Sequence, residues 1–275
     1  MPPASKAAAA AGAKKGSSSI VTLRVSQSVA LPPARLGFSA LVKADEFEEG
    51  KPRLSANFHY SPEGIAALAE VLSEKVLTGD RIEELAKMVE ENGGTGFPAA
   101  LTAEEWLERM LREPRESRNP DIPQLPYLKL SIPQNYVRTN RDTGAKETKK
   151  RTISAWDPNN KKLKLAALRL GAGSVIEPIV YPNLFFVAAN KATRAPALVA
   201  PSLRLIGIRV LELKQFSGGG NSAPGASDDE TIAKVLGKDF HYSDLSAFVG
   251  EDDEDEGGAP AAGAGGEDVE DTPMF

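Results

Sequence analysis

The chain has 275 residues, 26% of them charged, a formal net charge of -5 and no cysteine. Without cysteine there are no disulfides or thiolate metal sites. No apolar run approaches the eighteen or so residues of a membrane-spanning helix, and the start lacks a signal-peptide pattern, so a soluble intracellular protein with no membrane partner is expected.

The net charge hides an asymmetry. From Asp228 onward there are fifteen acidic and two basic residues, whereas residues 121–216 hold sixteen Lys and Arg against six Asp and Glu. Such a chain has a region suited to a polyanion and a tail that resembles one.

Residues 1–19 are an Ala/Lys/Ser/Gly arm with Lys6, Lys14 and Lys15, expected to be disordered. Between Ile20 and Val29, Val21, Leu23 and Val25 alternate with Thr22, Arg24 and Ser26, the period-2 pattern of a half-buried strand. Leu36 to Lys43 and Arg53 to Tyr60 read as two more strands, joined by a hairpin around residues 49–52. A helical insertion follows over about residues 61–113. Ser61 and Pro62 start its first helix, with Ile65, Leu68, Leu72 and Leu77 at helical spacing. Asp80 caps a second helix, and Thr102 to Glu105 is a capping box for a third that carries Trp106, Leu107, Met110 and Leu111.

Strands return at Pro126. Tyr127, Lys129 and Ser131 alternate with Leu128, Leu130 and Ile132, so a tyrosine and a lysine share the face opposite the apolar one. Residues 138–151 form a basic loop that leads into a strand where Thr152, Ser154 and Trp156 alternate with Ile153 and Ala155. On that polar face Trp156 either stacks on a ligand or closes the end of a barrel; the pattern allows both. Asp157 to Asn160 is a turn, and Lys161, Lys162 and Lys164 follow it. In the strand Val175 to Val187, Phe185 and Phe186 are adjacent, so one of them is expected to point away from the core. Residues 190–194 make a cationic turn. The longest strand, Leu203 to Phe216, is apolar in both alternating sets, as if buried on much of both faces, and Gly207 allows it to bend.

Residues 217–250 read as a linker with a short helix opened by Ser227, Asp228, Asp229 and Glu230, and residues 251–275 as a solvated acidic tail. The six carboxylates from Glu251 to Glu256 repel one another, and the Gly/Ala-rich segment behind them has too few large apolar groups to offset the entropy of ordering. The tip, Glu270, Asp271, Pro273, Met274 and Phe275, offers carboxylates and a ring to a basic, apolar pocket on a partner. A flexible tether counted from Ser217 reaches about 40 Å.

His59 and His241 lie far apart, and the chain has no phosphate loop, nucleophile elbow or metal-carboxylate cluster; neither catalysis nor a cofactor is expected. Short strands, a helical insertion, basic loops and aromatics on polar strand faces indicate a mainly β fold. The expected form is an OB-fold-like five-stranded antiparallel barrel over residues 20–216. By strand face and charge, the expected DNA-binding residues are Tyr127, Lys129, Tyr136, Arg138, Arg141, Lys149, Lys150, Arg151, Trp156, Lys161, Lys162, Phe185, Lys191 and Arg194. Trp156 and Tyr127 are the main stacking candidates, Tyr136 and Phe185 the lesser ones.

The order of parts, the stretches Tyr181 to Lys191 and Pro201 to Phe216, and the acidic tail ending in Phe275 resemble the bacteriophage replication single-stranded-DNA-binding proteins over about residues 20–275. Bacterial single-strand-binding proteins end in Phe directly after Pro; Met274 between Pro273 and Phe275 departs from that tip. The resemblance implies a non-catalytic protein of DNA replication, recombination and repair, acting in the cytoplasm of an infected bacterial host. It also implies that the tail recruits the replicative DNA polymerase and helicase-primase, and it allows a homodimer. The other reading is a structural or chaperone-like phage protein whose tail mimics DNA to occupy a basic partner. Aromatics on basic strands favour the first, because a decoy needs no stacking surface.

Overall fold

Alternating apolar residues become strands, and capped amphipathic stretches become helices, in the computed structural model, which describes residues 20–45, 51–114, 116, 121–139, 145–190, 194–215, 241–242, 245 and 248–250. In chain order the strands are β1 (Ile20–Arg24), β2 (Val29–Ala30), β3 (Ala34–Asp45) and β4 (Arg53–His59). Helices α1 (Pro62–Lys75), α2 (Gly79–Glu91) and α3 (Ala103–Met110) follow. Next come β5 (Leu111–Arg112), β6 (Tyr127–Pro133), β7 (Asn135–Thr139), β8 (Lys146–Lys150), β9 (Ser154–Trp156) and β10 (Lys162–Leu163). Helix α4 (Leu165–Leu168), β11 (Val175–Val187), β12 (Leu198–Lys214) and β13 (His241–Tyr242) complete the set.

Five strands close on themselves. Strand β3 pairs β4, β4 pairs β6, β6 pairs β12, β12 pairs β11, and β11 returns to β3. Taken in chain order, the barrel strands neighbour one another as first, second, third, fifth, fourth and first again, the Greek-key closure of an OB fold. The sequence suggests an antiparallel barrel, but one junction, β6 to β12 at Ser131 and Arg204, is parallel. The free side of β11 is covered in turn by β3, β2 and β1, so this long strand presents no open edge.

The double apolar pattern of β12 has a local cause. Its register against β11 slips twice, where Gly207 and Leu205 meet Ile179 and Val180, and where Glu212 and Val210 meet Val175 and Ile176. Each slip inserts one extra residue, Ile206 and Leu211, and so reverses which set of side chains faces inward. Leu205, Ile208, Val210 and Leu213 are all buried, the phase changing at each bulge. From Leu203 onward the buried large side chains therefore lie on one face reached by two different alternations, whereas at Val199 to Pro201 the strand is buried on both faces.

The insertion packs on this frame. Ser61 caps α1 by accepting from the Gly64 N–H at 3.1 Å, and Thr102 and Glu105 form the expected capping box of α3. Helix α2 starts two residues earlier than expected, with Thr78 rather than Asp80 at its N-cap. Leu68, Leu72, Leu85, Val89, Trp106 and Leu107 are buried in the common core, and Phe97 beyond α2 stacks on Phe186 at 5.8 Å. Among the described residues no helix is long and apolar enough to cross a membrane.

Candidate nucleic-acid interface

Registers across the barrel place the outward-facing side chains in rows. Arg35, His59 and Tyr127 share one level on β3, β4 and β6. At the next level Asn57 pairs with Lys129, and beyond it Ala40, Ser55, Ser131, Arg204 and Tyr181 run across five strands. Strands β9 and β12 extend the face with Trp156 beside Arg209, and Arg209 beside Glu177. The intervening residues Leu54, Ala56, Phe58, Leu128, Leu130 and Ile132 are buried inside.

Trp156 lies against Gly207. A Cβ on Gly207 would collide with the six-membered ring of Trp156 and stand 3.0 Å from the Ser154 carbonyl, so only glycine lets the indole rest on the sheet. The turn after it is stiff. The Asp157 carboxylate accepts from the N–H groups of Asn159 at 2.9 Å and Lys161 at 2.7 Å, an arrangement that brings Lys162 back opposite Trp156. Arg209 pairs with Glu177 and donates to Asn160 Oδ1 at 2.9 Å, while its Nε is buried without a partner. The half-buried indole is thus flanked by two cations on rigid backbone.

Tyr127 has a different support. Its ring lies 5.0 Å from that of His59, tilted by 35°, and His59 Nδ1 donates to the Leu125 carbonyl at 2.7 Å. The other side of the imidazole fills the space above Gly37, where a Cβ would collide with Nε2. Burial lowers the His59 pKa below its usual range, an effect the hydrogen bond to Leu125 partly offsets. A neutral His59 therefore acts as a floor for Tyr127, a role its sequence position did not suggest.

The expected basic loop is a hairpin. Strands β7 and β8 pair from Asn135 with Lys150 to Thr139 with Lys146, which puts Tyr136 opposite Lys149 and Arg138 opposite Glu147. Arg151 anchors its base: the guanidinium lies 4.7 Å from the Tyr136 ring centroid and donates to the Pro133 carbonyl at 3.3 Å. The hairpin therefore leaves the barrel at the end of β6. Lys150 and Arg138 on it are exposed, as is Lys161 beside Trp156. Arg141, Lys191 and the tip residues Glu270, Asp271, Pro273, Met274 and Phe275 lie outside the described residues.

Two expected contacts are not brought to this face. Phe185 does point outward from β11, but it is only 5% exposed and belongs to the apolar core, between Thr22 of β1 and Ala200 of β12. It is a packing residue: Phe185 and Phe186 both belong to the core, which corrects the expectation that one of them points away from it and that Phe185 stacks on bases. Arg194 is exposed at the far end of the β11–β12 pair, about 35 Å along the strand from Arg209. Sequence reading also passed over Arg204, Tyr181 and Phe38; Arg204 becomes an outward residue only once the bulge at Ile206 is known. An apolar groove of about 600 Å³ between α1 and α3 is rimmed by Glu70, Glu104 and Glu108, which disfavours a polyanion there.

Fold and face define an OB-type barrel with a cationic, aromatic outer surface. No family model and no curated protein matches the chain. Among solved structures it is similar to gp2.5, a single-stranded DNA-binding protein encoded by bacteriophage T7. The identity is 15% and the TM-score 0.42, covering 71% of this chain and 98% of that one. It is also similar to the single-stranded DNA-binding protein from bacteriophage Enc34 in complex with ssDNA, at 12% identity and a TM-score of 0.34, covering 72% of this chain and 89% of that one.

Proposed function

We propose that the protein binds single-stranded DNA without catalysis, across the outer face of β4, β6, β12 and β9, and serves phage DNA replication and recombination. The observation that carries this reading is the indole of Trp156 resting on Gly207 between Lys162 and Arg209. A flat apolar ring flanked by cations matches an unpaired base on a charged backbone, and the stacking is tolerant of sequence. Titration of labelled poly-dT against salt tests it. With some four to eight phosphate contacts, log K should fall with log salt at a slope of about -3 to -6, and single strands should bind far better than duplex. Equal affinity for duplex would refute the reading.

In this proposal the acidic tail competes with DNA and recruits the polymerase and helicase-primase through Glu270, Asp271, Pro273, Met274 and Phe275. Support comes from the residues just before it. Leu245 is buried, the Lys164 N–H donates to the Phe248 carbonyl at 2.8 Å, and the Gly250 N–H donates to the Lys162 carbonyl at 3.1 Å. Gly250, which directly precedes the run Glu251 to Glu256 in the chain, therefore lies against Lys162 and Lys164. Counted from Gly250 rather than Ser217, a random coil of 25 residues would reach about 25 to 30 Å. Deleting residues 251–275 should raise affinity for ssDNA, most at low salt, whereas removing Phe275 alone should abolish partner pull-down and leave DNA titration unchanged. A tail deletion that weakens DNA binding would contradict the competition.

A further inference from the structure

Strand β3 carries an aromatic side chain whose exposure its sequence pattern does not announce. Leu36 and Ser39 pair with Phe58 and Ala56, which face the barrel interior, so Gly37 and Phe38 together oppose Asn57 alone. Two residues against one is a bulge, and both of its side chains lie toward the face of the residue opposite. Gly37 confirms the direction: a Cβ there would stand 3.5 Å from Asn57 Cβ and collide with the His59 ring. The imidazole occupies the space above Gly37. Phe38 is 50% exposed, at the level where Asn57 pairs with Lys129.

We propose that Phe38 is a further base-stacking seat, taking an unpaired nucleobase, so that the single strand crosses the barrel from Phe38 on β3 over Tyr127 to Trp156 on β9. The inference rests on the DNA-binding reading above. Strands β3 and β6 are two pairing steps apart, about 10 Å, which places Phe38 one short crossing from Tyr127. Arg35 is exposed on the same strand, Lys129 stands opposite Asn57 in the row of the ring, and Arg53 lies two outward rows further along β4, so cationic residues lie on both sides of that row. The alternative occupant, a second copy of the chain, fits the area poorly. Half of one phenylalanine exposes on the order of 100 Å², and Val42 is the only other exposed large apolar residue on β3 among those described. One side of a standard protein interface needs about 800 Å².

The test is anisotropy titration of a fluorescein-labelled dT oligonucleotide with full-length wild type, Phe38→Ala and Phe38→Tyr, alongside thermal melting and light scattering. Phe38→Ala should weaken binding ~5- to 150-fold. The melting temperature and the slope of log K against log salt should not change, because a stacking contact releases no counterions. Phe38→Tyr should restore most of the affinity. If wild type fails to bind the oligonucleotide, the DNA-binding reading falls and this inference with it. If wild type binds and Phe38→Ala binds equally well, only the Phe38 seat is overturned. A dimer in wild type that Phe38→Ala converts to monomer, at unchanged DNA affinity, would assign the ring to a second copy.

Discussion

Trp156 and Phe185 both project from the outer side of the barrel strands, yet they end in opposite environments. Trp156 is half-buried on a glycine at the end of the short strand β9, with Lys162 and Arg209 beside it. Phe185 sits where β11 is paired on both edges, by β1 and β12, and is sealed into the core. Alternation specifies which way a side chain leaves its strand. What it meets there depends on chain segments far away in sequence, so an outward aromatic is a candidate contact only after its neighbours are known.

The largest expected effect separates the two residues through stability. Phe185→Ala should cost about 3–5 kcal/mol of unfolding free energy in urea titration and leave the ssDNA affinity of the folded fraction unchanged. A stable Phe185→Ala protein with weakened DNA binding would return Phe185 to the interface. Next in size is the Trp156 seat. Trp156→Ala should weaken ssDNA binding by about 1–3 kcal/mol, with a smaller stability loss than Phe185→Ala. Gly207→Ala should weaken binding too, because its Cβ displaces the indole, at a cost of about 1–3 kcal/mol in stability from overpacking. Full affinity in Gly207→Ala would show that the position of the ring does not matter.

The smallest effect concerns the floor under Tyr127. Burial keeps the folded-state pKa of His59 below its unfolded value of 6.5, so the unfolded chain binds the proton more readily. The stability that neutral His59 confers is therefore whole above about 6.5, declines as pH falls from there toward the folded-state pKa, and is constant below it. Between pH 7.5 and 5.5, wild type should lose more melting temperature than His59→Gln, which cannot take up the proton. Equal losses in the two proteins would remove His59 as the cause.

Local signals read along the chain carried far. The capping box at Thr102 and Glu105, the Asp157 turn and the outward placement of Tyr127, Lys129 and Trp156 all follow from residues within a few positions of one another, because caps, turns and strand faces are short-range properties. The five-strand closure and the burial of Phe185 are different in kind. So are the paired supports, Gly207 under Trp156 and Gly37 under His59, and the return of Phe248 to Gly250 onto β10. Each depends on which distant strands pair and in what register, and a single bulge such as those at Ile206 or Phe38 reverses the inward and outward sets without leaving a distinctive local mark. The sequence by itself determined the main barrel strands, the three helices of the insertion, the outward side of Tyr127, Lys129 and Trp156, and the separation of a basic stretch from an acidic C-terminal one. Tertiary structure alone decided which outward side chains remain accessible, because burial is a property of the covering segment as much as of the residue covered.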